Sequence, residues 1–120
     1  MGEFFSVKKS GEIAVMTILK EEITMYEIDK VKNEFSEVIE KESKNLVVDF
    51  KKLAFMSSLV MAALVFVLKK VKEKNGKLKF CELKGKVKEV FEITDLDKVF
   101  EIYPTEDEAI AKFSEEGIKT

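Results

Sequence analysis

Arginine, histidine, tryptophan and glutamine are all absent from this 120-residue chain. Without histidine, the usual side chain for acid–base work near neutrality is missing, and metal sites lose their commonest ligand. Without arginine, no planar fork can grip a phosphate or carboxylate at two points, and all 21 cations are lysine. A single cysteine, Cys81, excludes an intrachain disulfide. The glycines (Gly2, Gly11, Gly76, Gly85 and Gly117) are scattered and form no phosphate-cradling loop. The longest apolar run, Leu59 to Leu68, is too short for a bilayer, which takes about 20 residues. No signal or transit peptide is visible. These absences lead us to expect a soluble protein of a reducing compartment, the cytoplasm, with no membrane partner, no metal and no cofactor.

The hydrophobic content, 46%, is enough for one domain over residues 1–120 to bury a core unaided. The charges sum to −2 and are dispersed, so no basic face is offered to nucleic acid. The lysine- and glutamate-rich, glutamine-free composition is that reported for heat-adapted proteins.

Phe4 to Lys9 and Glu12 to Leu19 are apolar-rich runs around Ser10-Gly11 and predict an N-terminal hairpin. Thr24-Met25-Tyr26-Glu27 has the form of a capping box, and Ile28, Val31, Phe35, Val38 and Ile39 follow at helical spacing, so a helix is predicted over Met25 to Lys41. Asn45 to Phe50 reads as a central strand buried on both faces and ending near Asp49. A second helix begins at Ser57 or Ser58 and stops at Asn75-Gly76, where glycine suits the left-handed end. Leu78 to Leu83 is the next strand, alternating with Lys79 and Glu82. A short helix follows Gly85, an edge strand covers Val99 to Tyr103, and Thr105-Glu106-Asp107-Glu108 caps a last helix carrying Ala109, Ile110 and Phe113. The order β-β-α-β-α-β-α-β-α defines an α/β fold: a mixed, mostly parallel sheet with right-handed crossovers.

Four features invite a functional reading. Ser57 and Ser58 open the second helix. One can cap it, and the other can stand exposed where the helix N-terminus tolerates a phosphate. Asp49 ends a central strand, where α/β folds place ligands. With no second acidic residue close in sequence, a bond to the following loop is the favoured role. Cys81 lies among apolar neighbours with no His or Arg to activate it, and reads as an inert buried thiol. No G-x-S-x-G elbow surrounds the serines, so a hydrolase has no support, and no enzyme is expected. Along the second helix, Met61, Leu64, Leu68 and Val71 share a face suited to the core. Leu59, Ala62, Ala63 and Phe66 fall on other faces, and part of that set is expected to stay exposed beside Ser58.

The order of elements and the serine-led helix resemble the STAS domain of anti-sigma factor antagonists. The resemblance runs from Glu21-Glu22-Ile23-Thr24, through Val47-Val48-Asp49-Phe50, to Phe55-Met56-Ser57-Ser58-Leu59-Val60-Met61. It continues through Gly76, Lys77-Leu78-Lys79-Phe80-Cys81 and Thr94-Asp95-Leu96-Asp97-Lys98. In this register Ser58 falls on the family's phosphorylated serine and Ser57 on an aspartate. Leu59 falls on a second serine, Val60 on a glycine, and Thr24 on an aspartate. The resemblance implies a non-enzymatic partner switch. A serine-kinase anti-sigma factor docks on Ser57, Ser58, Leu59 and Ala62, with Thr24 nearby, and releases its sigma factor; phosphate on Ser58 reverses this. The chain itself would be a monomer or weak homodimer. Two other readings stand beside it: a non-phosphorylated STAS subunit of a larger signalling or transport assembly, and a small-ligand binder at the Asp49 strand end.

Calorimetry checks the compositional expectation: a melting temperature clearly above the range of about 45–65 °C usual for mesophile domains.

Overall fold

The computed structural model describes residues 2–120. Five strands form one sheet in the order β1-β2-β3-β4-β5. β1 (Phe5–Ser10) and β2 (Ile13–Ile18) pair antiparallel. The turn is Gly11-Glu12 rather than Ser10-Gly11, because Gly11 takes the left-handed conformation at φ +61°. β2, β3 (Leu46–Asp49), β4 (Leu78–Cys81) and β5 (Glu101–Tyr103) are mutually parallel, with Val15 beside Val47 and Val48 beside Phe80. The helices between them are α1 (Ile28–Lys41), α2 (Ser58–Glu73) and α3 (Gly85–Ile93), and α4 (Glu106–Glu115) follows β5. The element order predicted from the sequence is the one observed.

Strand alternation divides the core into two layers. Leu46, Val48, Leu78 and Phe80 join Val31, Phe35, Leu64, Val67 and Phe91 in the larger cluster, under α1, α2 and α3. Val47 and Cys81 join Ile13, Val15, Ala109 and Phe113 in a smaller one, under α4. β3 is buried on both faces, as its sequence predicts. Phe50, Phe80, Phe91 and Phe100 meet at the larger layer's edge, with ring centroids 4.6–6.1 Å apart. Such pairs add about 1 kcal/mol each to plain area burial.

Four local expectations are corrected. Residues Met25–Glu27 form a 3₁₀ turn ahead of α1 rather than its first turn, although the predicted capping box is present: Glu27 accepts the Thr24 N–H at 2.9 Å, and the Thr24 hydroxyl also donates to Glu27 (3.1 Å). Asn75, not Gly76, carries the left-handed residue after α2 (φ +61°), and Gly76 is required because a Cβ there would strike the Lys44 carbonyl. β4 ends at Cys81 because Glu82 turns the chain at φ +62°. On α2 the core positions are Val60, Ala63, Leu64, Val67 and Val71, while Met61 and Leu68 are only half-buried.

Lys79 is the largest departure. The strand alternation that reads as solvent-facing instead points it under α4, where its side chain is wholly buried. Its ammonium lies 2.7 Å from Glu101 and 2.9 Å from Glu116, and 4.8 Å from the centroid of Phe113. Burial alone would raise Glu116, but hydrogen bonds from Lys79 and Lys77 hold it below the usual carboxylate range. A buried cation without partners costs several kcal/mol, so this network ties β4, β5 and α4 together.

Lys79→Ala removes both the ammonium and the apolar stem and is expected to destabilise by about 3 kcal/mol in urea denaturation. Lys79→Met, which keeps the stem against Phe113, is expected to lose less. Since Glu116 is depressed in the folded state, stability is present above the ordinary glutamate range and falls as pH drops through it. That acid loss should shrink in Lys79→Ala.

Candidate functional site

The loops that leave the C-terminal ends of β2 and β3 lie side by side. The N–H groups of Ala54 and Phe55 donate to the Glu21 carbonyl at 2.7 and 3.2 Å. Adjacent parallel strands must release their chains at the same end of the sheet, so Thr24 and the start of α2 share that end.

Ser57 and Ser58 are separated by function within one turn. Ser57 is extended (φ −107°, ψ 164°), and its hydroxyl accepts the Val60 N–H at 3.2 Å. It is the N-cap. Ser58 is the first residue of α2 and is exposed. No acidic side chain occupies the first turn, so the partial positive charge of this helix end is uncompensated by the helix's own side chains. The site can therefore hold an added phosphate without like-charge repulsion from its own helix.

Around Ser58 the surface is apolar. Leu59 is 44% exposed and Ala62 is exposed one turn on. Ala63, expected on an outer face, is instead in the core, and Phe66 is half-buried with the Lys32 ammonium 4.7 Å from its centroid. The sequence reading did not single out two exposed aromatics in the loops at this end of the sheet. Phe55, before the cap, is 51% exposed, and Tyr26, after Thr24, is 86% exposed, with Met25 also in solvent. A signal was available: Phe55 and Tyr26 stand in loops beside residues already singled out, where no core role requires a large apolar side chain.

Asp49 does what the sequence reading favours. Its Oδ1 accepts the Lys51 N–H at 2.9 Å and so opens the loop that leads to Ser57. Cys81 is wholly buried, and burial, followed by the nearby charge of Asp49, pushes its thiol far up, which leaves it an unreactive core residue. Clefts lie elsewhere, one of about 310 Å³ between β1 and α1 and one of about 440 Å³ between α3 and β5.

A sheet of this topology, with a serine-capped apolar helix opening at the end where the loops gather, defines a class that the family comparison identifies. The STAS domain model matches residues 5–109, and the chain belongs to the STAS family. A Bordetella bronchiseptica protein assigned as an anti-sigma factor antagonist, BtrV, is 29% identical over 85 residues, which covers 71% of this chain and 73% of that protein. Among solved structures, an anti-sigma factor antagonist assignment from Thermotoga maritima superposes with a TM-score of 0.83 at 22% identity, covering 92% of this chain and 94% of that one. Bacillus SpoIIAA in its phosphorylated form superposes with a TM-score of 0.67 at 18% identity, covering 90% and 97%. At these identities the two structures speak for the fold.

The two serines should separate in stability. Ser57→Ala removes the cap and is expected to cost about 1 kcal/mol in chemical denaturation. Ser58→Ala is expected to stay within about 0.5 kcal/mol of the parent.

Proposed function

We propose that this chain is an anti-sigma factor antagonist of a bacterial cytoplasm, acting as a monomer or weak homodimer and binding a serine-kinase anti-sigma factor so that its sigma factor is released. The observation that carries this reading is the exposed Ser58 in the first turn of α2, followed by exposed Leu59, at the end of the sheet where the loops carrying exposed Tyr26 and Phe55 also lie. The BtrV match supports it. The docking face is Ser57, Ser58, Leu59, Ala62 and Thr24, extended by Phe55 and Tyr26.

The switch follows from the helix end. A phosphate adds about two negative charges and three acceptor oxygens. In the free protein these face water and unpaired N–H groups, so the fold is undisturbed. In the complex the same charge would be buried between apolar side chains and would have to be desolvated, which opposes binding. The chain needs no catalytic group of its own: ATP gives up its terminal phosphoryl group to the Ser58 hydroxyl and leaves as ADP, and the base that takes the hydroxyl proton belongs to the partner.

Leu59 and Val60 favour a second reading in which the domain docks in a larger assembly without being phosphorylated. They stand where the resembling motif has a serine and a glycine. The kinase reaction separates the two. With its kinase-type anti-sigma factor and ATP, mass spectrometry should find one phosphate, absent in Ser58→Ala. The phosphorylated protein should bind the anti-sigma factor roughly 100-fold more weakly in calorimetry, or about 3 kcal/mol, in line with the cost of a misplaced charge. A stable complex that never gains phosphate selects the second reading. Neither complex nor phosphate overturns the first.

A further inference from the structure

Asp49 closes β3 and Glu106 opens α4, and strand alternation turns the Asp49 side chain towards that helix. The Asp49 side chain is 0% exposed, while that of Glu106 is 18% exposed. Asp49 Oδ1 accepts the Lys51 N–H. The other oxygen, Oδ2, is buried and has no hydrogen-bond partner among the described residues. The Lys51 ammonium stands 3.7 Å from it, on a half-exposed side chain. The Glu106 carboxyl lies within hydrogen-bonding reach of Asp49 and is itself paired with Lys8 at 2.9 Å. The ionisable groups around the pair are Lys8 of β1, Lys51 of the loop after β3, Cys81 of β4, Glu82 beyond it, and Glu106 and Asp107 of α4.

Two carboxylates in contact, one shut away from water, cannot both be ionised cheaply. A buried carboxylate oxygen with no donor is costly as well. One proton between them removes both costs. We propose that Asp49 and Glu106 share one proton, donated from Asp49 Oδ2 to the Glu106 carboxylate, so that the pair holds the first turn of α4 against the turn that opens the loop to Ser57 and Ser58.

The environment assigns the proton to Asp49. Burial, helped by the charge of Glu106, pushes Asp49 above the usual carboxylate range, against the opposing Lys51 N–H. Burial of Glu106 is outweighed by Lys8 and by the bond from Asp49, and it lies below that range. Asp49 and Glu106 are therefore positioning residues. Asp49 faces both the loop, through Lys51, and α4, through Glu106. Losing the proton sets two negative charges in contact, draws the Lys51 ammonium towards Oδ2, and moves the turn. Only the significance of the loop rests on the docking reading; the proton does not.

Carbon-detected NMR of the side-chain carboxyls of the isolated protein, over a pH series, reads the proton directly. The expected result is an Asp49 step above those of the other aspartates and a Glu106 step below those of the other glutamates. The backbone amides of residues 51–58 should shift with the Asp49 step. Urea stability should fall as pH rises across it, because the folded chain holds this proton more tightly than the unfolded one. Asp49→Asn keeps an oxygen for the Lys51 N–H and an N–H for Glu106, so the amide shift and the stability loss should both vanish while the loop stays in its low-pH position. In Glu106→Gln the new amide can donate to Oδ2, and the Asp49 step should drop towards the other aspartates. If wild-type Asp49 titrates with the other aspartates, the shared proton is refuted. An Asp49 step that leaves amides 51–58 unmoved overturns the coupling to the loop. Both measurements are made without a partner, so neither result depends on whether Ser58 is phosphorylated or the anti-sigma factor binds.

Discussion

The burial of β3 on both faces is the constraint from which the rest of the molecule follows. A parallel strand in the middle of a sheet must be covered above and below, and crossovers of one hand put their helices on one side. Because β2 through β5 advance in chain order across the sheet, α1, α2 and α3 collect on a single face. The other face is left to α4, which returns from the end of the chain. The alternation of β3 then fixes each side chain's company: Leu46 and Val48 meet the three helices, while Val47 and Asp49 are turned towards α4. One hydrophobic requirement thus decides the layer order, the end at which loops gather, and the burial of a carboxylate.

Most of this was legible before any coordinates. The β-branched run Leu46-Val47-Val48, the helical spacing of Val31, Phe35, Val38 and Ile39, and the serine and threonine caps at Ser57 and Thr105 are local signals. Local signals survive into the fold when nothing distant contradicts them. The inward face of α2 was not legible, for a physical reason. Periodicity locates a core face by contrast between apolar and polar positions, and α2 has none between Leu59 and Leu68. Which of ten apolar residues turn inward is then set by where α1 and the sheet lie, and the choice falls on Val60, Ala63, Leu64 and Val67.

The charged residues were misread for the complementary reason. Lys79 looks solvated because its neighbours in sequence alternate with it, yet its partners Glu101 and Glu116 come from β5 and from just past α4. Asp49 lacked a second acid in its own loop, and Glu106 arrives at it only through the return of α4. Sequence separation hides such pairs, whereas burial makes them matter: the energy of a charge depends on what the fold brings within about 4 Å of it, not on what precedes it in the chain. Both sites lie in the layer under α4, the thinner of the two. There polar anchoring by Lys79 and Asp49 supplements a small apolar cluster in holding one helix to a sheet.

Residues 57–60 show how the family resemblance and the physical reading combine. Successive helical positions turn by about 100°, so four neighbours face four ways. Ser57 caps, Ser58 stands in water, Leu59 lies exposed, and Val60 enters the core. The valine that replaces the motif's glycine is accommodated inward, where the sheet needs volume, and leaves the outer surface unchanged. Leu59 replaces a serine outward and does change it. Leu59, exposed next to Ser58 in the chain, makes that part of the surface more apolar than a serine would. On the proposed docking reading, a partner for this face brings apolar side chains to the rim of Ser58 and gains affinity more from buried area than from hydrogen bonds. On the same proposed reading, a phosphate on Ser58 would oppose binding chiefly through the cost of desolvating its charge within that apolar contact.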